Sequence, residues 1–156
     1  MKKITVLIML LMASVSFAQL KRVDTSNFAK SEEIGKIQPL GQAPHMELTK
    51  LGDVYTFTYK DVEFKTMDQF RSFTLKETGS DLETLYSMIM EGFEKKPEEP
   101  IMLELSDNIV WLRFEKSFGM TVLKVLSSEK YANAPITQSN MFLKKQVEKL
   151  FGKGKK

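Results

Sequence analysis

A period of two in the apolar residues, repeated along the chain and broken by one stretch of period three to four, constrains this sequence more than any other feature. Met46 and Leu48 alternate with polar neighbours, Gly52-Asp53 marks a turn, and Tyr55, Phe57 and Tyr59 alternate with Thr56 and Thr58. That pattern predicts a β-hairpin. Arg71, Phe73 and Leu75 give a brief further alternation, read as a third strand with a helical turn as the competing reading. Later in the chain come Ile101, Leu103 and Leu105, then Val110, Leu112 and Phe114, then Thr121, Leu123 and Val125. Turns at 106–108 and 117–119 separate them, which predicts a three-strand meander.

Between the two groups the period changes. Leu82, Leu85, Tyr86, Ile89 and Phe93 recur at three and four residues, so they line one face of a helix. Ser80-Asp81-Leu82-Glu83 has the spacing of a capping box at its start, and Pro97 and Pro100 close it after about Lys95. Leu143, Val147, Leu150 and Phe151 make a second amphipathic face before Gly152. The fold class that follows is α+β: an antiparallel sheet of hairpin plus meander, covered by two amphipathic helices. The order of elements is similar to that of the profilin and longin type of sandwich, which implies a single sheet and, as a fold-level likeness, no function.

The first residues are of another kind. Lys2 and Lys3 precede an uncharged apolar run from Ile4 to Met12, and small residues end in Ser16-Phe17-Ala18 before Gln19. This is the order of a secretory signal peptide over 1–18, and the apolar run is too short for a membrane anchor. The expected organisation is therefore signal peptide 1–18, irregular arm 19–44, one domain over 45–152 and a basic tail over 153–156. The expected location is the bacterial periplasm or the outside of the cell, with no integral membrane anchor after cleavage. The formal net charge of +3 falls by two when Lys2 and Lys3 leave. Nothing in so balanced a chain calls for a nucleic-acid partner. The chain has no cysteine, so neither disulfides nor thiol chemistry are open to it.

The polar residues commit the domain to no chemistry. His45 is the single histidine, so a zinc site would need carboxylates for its other ligands. The methionines suit core filling better than a copper(I) site, since Met88 and Met90 lie two apart on a helix and do not face each other. No metal and no cofactor are expected. Tyr55 and Tyr59 offer an aromatic platform for a flat ligand, with core packing as the competing reading. Trp111 alternates out of phase with Val110 and Leu112, and on an open sheet face it would be a contact residue beside Arg113. Asp53, Asp61, Glu63 and Asp68 lie in the turns around the second strand, where two converging carboxylates could act as acid and base. Two functions follow. The first is a non-enzymatic exported protein that binds a macromolecular partner or a small ligand. The alternative is a small carboxylate-dependent hydrolase.

Overall fold

A computed structural model describes residues 30–63 and 67–154. The expected signal peptide, most of the arm before β1, and Lys155 and Lys156 lie outside the described residues. The chain forms eight strands and two helices: β1 (Glu32–Ile37), β2 (Met46–Leu51), β3 (Val54–Lys60), β4 (Phe70–Lys76), α1 (Asp81–Lys95), β5 (Ile101–Glu104), β6 (Asn108–Ser117), β7 (Met120–Glu129), β8 (Thr137–Leu143) and α2 (Lys144–Leu150). The class is α+β. All strand pairs are antiparallel, but they make two four-stranded sheets, β1-β2-β3-β4 and β5-β6-β7-β8, where the sequence suggested one. The physical reason is the insertion of α1 between β4 and β5. Turns and loops, with no helix among the described residues, join neighbours within each half, whereas the 15-residue helix lets β5 start a sheet of its own.

Each sheet keeps the two-residue alternation of its strands, and the inward residues of both sheets share one core. Met46, Leu48, Phe57 and Phe73 come from the first sheet, and Val110, Leu112, Phe114, Leu123, Val125 and Phe142 from the second. Leu85, Ile89 and Phe93 of α1 and Val147 and Leu150 of α2 join them. Phe57 stacks on Phe73 within the first sheet at 4.8 Å, and Phe93 of α1 sits edge-on to Phe114 of the second sheet at 5.3 Å.

Two strands went unread in the sequence. β1 falls in the expected irregular arm, an edge strand in which only Ile34 and Ile37 are apolar enough to signal burial. Its Gly35 is where α2 lands: a Cβ there would sit 2.6 Å from the Leu150 carbonyl oxygen and still closer to that of Lys149. β8 lies between the expected meander and the second amphipathic face, and it escaped notice because its buried inward positions include Thr137 and Ser139, which carry no apolar signal.

The start of α1 also differs. Ser80 makes no side-chain cap, and Asp81 instead accepts hydrogen bonds from the Thr78 amide at 2.8 Å and hydroxyl at 2.6 Å. The Glu77 carboxylate takes the Asp81 amide at 2.9 Å. The Glu77 carboxylate thus serves the first amide of the helix, and Asp81 ties the preceding Thr78 to it. At the other end the expected basic tail begins with a residue that is engaged. Lys153 bonds Glu83 at 2.6 Å and lies over the Tyr86 ring.

Candidate functional site in the gap between the sheets

The inward alternation of the strands changes character at one end of the molecule. Along β3 it runs Tyr55, Phe57, Tyr59, and the next inward residue is Asp61, fully buried. On β4 it runs Leu75, Phe73, Arg71, since Phe57 faces Phe73 and Tyr59 faces Arg71 across the ladder. In the second sheet Leu112 and Val110 give way to Asn108, Val125 to Ser127, and β8 brings Ser139 and Thr137. Both inner faces are therefore apolar towards α1 and polar at the same far end. This divides the gap into two spaces.

The apolar space is a cavity of about 160 Å³ between the two sheets and α1. Phe57, Phe73, Leu85, Ile89, Val110 and Leu112 are among the residues that wall it. Asp81 and Thr84 of α1 and Glu104 of β5 supply polar groups to an otherwise apolar lining. For scale, a dry cavity of about 150 Å³ lined by Leu, Ile and Phe accommodates benzene.

The polar space is a cleft of about 260 Å³ lined by residues of β4, β6, β7, β8 and the loop before β8. Its floor is a hydroxyl chain. Tyr59 Oη lies 2.7 Å from Ser127 Oγ and 2.6 Å from Thr137 Oγ1, and the Thr137 hydroxyl donates to the Ser127 carbonyl. One proton per hydroxyl then fixes the direction: Tyr59 donates to Thr137, and Ser127 donates to Tyr59. Burial pushes the Tyr59 phenol above its ordinary pKa, while the hydrogen bonds to Ser127 and Thr137 pull the other way. Beside this floor, Arg71 Nε is 3.4 Å from Asp61 Oδ2, and Asp61 Oδ1 accepts the Glu63 amide at 3.1 Å. The loop that holds Asp61 is itself tied to the second sheet by the Val62 amide, which donates to the Gln138 carbonyl.

The residues singled out from the sequence take separate places. Tyr55 and Tyr59 point into the core and are 8% and 0% exposed, so neither ring is a surface platform. Trp111 is half-buried on the outer face of the second sheet, paired with Met102 and Leu126, and Arg113 is exposed on the same face opposite Lys124. The four acids do not converge on one cleft. Asp53 pairs with Lys76 at 3.8 Å, Asp68 with Lys60 at 2.5 Å and Asp61 with Arg71, and Glu63 is exposed.

Sequence reasoning missed Arg71, Asn108, Ser127 and Thr137. Their signal is present, namely polar residues in phase with the apolar alternation at strand ends, but it acquires meaning only once the strands are paired. Among the described residues no cluster of three histidine, aspartate or glutamate side chains could hold a metal ion, and no helix is long and apolar enough to cross a membrane. No protein-family model, curated protein or solved structure matches the chain.

Proposed function

We propose that this is an exported, non-enzymatic binding protein that holds a small apolar group, a short alkyl chain or a single ring, in the cavity between its sheets. The observation that carries the reading is that cavity, walled by Phe57, Phe73, Leu85, Ile89, Val110 and Leu112 with Asp81, Thr84 and Glu104 as its few polar contacts. A concave apolar space with sparse polar groups is the usual form of a small-ligand site. Export is supported by the Lys2-Lys3 start, the apolar run and the Ser16-Phe17-Ala18 junction. A hydrolase has less support, because the candidate acids are held apart and three of them are paired with lysine or arginine.

The test is thermal denaturation with and without benzene, hexanol and hexanoate. A ligand in the cavity raises the melting temperature, by the equivalent of about 2.7 kcal/mol when its concentration is 100 times its dissociation constant. Val125→Phe, which fills the cavity, should abolish the shift. No shift with any of the three, together with a Val125→Phe protein more stable than the native one, would mean that the space is only loose packing. The intact mass of the protein taken from an envelope fraction tests export: a chain starting at Gln19 supports it, and one retaining Met1 sinks it.

A further inference from the structure

The polar cleft shares no lining residue with the apolar cavity. Asn108 is 8% exposed and lies on the cleft wall, where its carboxamide supplies both a donor and an acceptor. Arg71 adds donors: Nε is turned to Asp61, leaving the two terminal nitrogens of a side chain that is 42% exposed. Ser127 Oγ, its proton committed to Tyr59, offers acceptor lone pairs only.

The charges decide what kind of molecule suits these groups. Asp61 neutralises Arg71, and Glu129 on the cleft wall leaves a negative balance, so an anion is opposed. The occupant must both donate and accept hydrogen bonds without carrying negative charge, which describes an array of hydroxyl groups. Phe70 and Tyr131 complete the lining and are 44% and 58% exposed, giving apolar ring surface beside the polar groups. Aromatic faces next to amide, guanidinium and hydroxyl groups match a molecule with C–H faces and a hydroxyl rim.

We propose that the cleft between β4 and the β7–β8 end of the second sheet binds an uncharged pyranose ring, with Asn108, Arg71 and Ser127 on its hydroxyls and Phe70 and Tyr131 against its C–H faces. The ring could belong to a free sugar or to the end of a glycan chain. Both present the same hydroxyl chemistry.

The experiment is saturation-transfer NMR and calorimetry on the full protein with glucose, galactose, N-acetylglucosamine and their β-linked oligomers, each up to about 10 mM. Saturable binding of at least one is expected. Affinity should fall about tenfold in Asn108→Ala and in Tyr131→Ala, whereas Met102→Ala, on the outer face of the second sheet, should leave it unchanged. Tyr131 is exposed, so its variant keeps the inference testable if Asn108→Ala fails to fold. Tight binding of oligomers with none of monomers assigns the site to a glycan end, and equal binding assigns it to free sugar. Absence of binding by all of them, preference for inorganic phosphate or glucuronate, or binding undiminished by Tyr131→Ala would each overturn the proposal.

Discussion

The phenol oxygen of Tyr59 on β3 lies 2.6 Å from the hydroxyl oxygen of Thr137 on β8, so a buried hydrogen bond joins the two sheets where their inner faces turn from apolar to polar. With Ser127 at 2.7 Å, Tyr59 ties 78 residues of separation into one contact.

Tyr59→Phe should therefore destabilise the fold by about 1–3 kcal/mol, because it leaves the buried Ser127 and Thr137 hydroxyls without their shared partner. Denaturant titration at neutral pH measures this. The same residue sets an alkaline limit. Its folded pKa is raised by burial, so above the ordinary tyrosine value the unfolded chain loses a proton that the folded chain keeps. Stability is complete below that value and declines as pH rises through the folded pKa. In Tyr59→Phe the alkaline decline should be shallower than in the native protein.

Asp61 and Arg71 should respond unequally to substitution. Asp61 is fully buried whereas the Arg71 side chain is 42% exposed, so removing Arg71 strands a buried charge and removing Asp61 does not. Arg71→Met is expected to cost about 1–3 kcal/mol at neutral pH, since solvent at the half-exposed arginine screens the pair, and Asp61→Asn clearly less. Equal costs in denaturant titrations would contradict this account.

Gly92 on α1 exists for the sake of Phe114. A Cβ at Gly92 would overlap the Phe114 ring, which packs edge-on against Phe93 of the same helix. Alanine at a helix interior normally gains about 1 kcal/mol over glycine, but here overpacking of about 1–3 kcal/mol opposes it. Gly92→Ala should lower the melting temperature, and adding Phe114→Leu should recover part of the loss. A melting temperature raised by Gly92→Ala alone would count against the close packing.

His45 predicts a mild weakening in acid. Burial, and then the nearby Lys60, hold its pKa below the usual 6.5. As pH falls below that value the unfolded chain gains a proton that the folded one resists, so stability is complete above it and declines as pH falls through the folded pKa. His45→Gln should flatten the acid side of a stability-against-pH curve over that range.

Much of the architecture is legible before any strand is paired. Tyr55-Thr56-Phe57-Thr58-Tyr59 can only be a strand with one apolar face, and the three-and-four spacing from Leu82 to Phe93 can only bury one side as a helix. That Tyr59 shares a face with Phe57, that Trp111 lies opposite Val110 and Leu112, and that α1 ends at Lys95 before Pro97 all follow from such local periods. β1 and β8 escape this logic, since Gly35 gives no side chain and Thr137 and Ser139 are polar residues buried by their partners.

The tertiary structure alone decided that there are two sheets, that Asp61 meets Arg71 while Asp53 and Asp68 go elsewhere, and that the polar ends of β3, β4, β6, β7 and β8 meet in one cleft. The reason is physical. Alternation and capping act over a few residues and are written in the chain, whereas a hydrogen bond such as Tyr59 to Thr137 depends on which faces come together after 78 residues of chain have been folded between them.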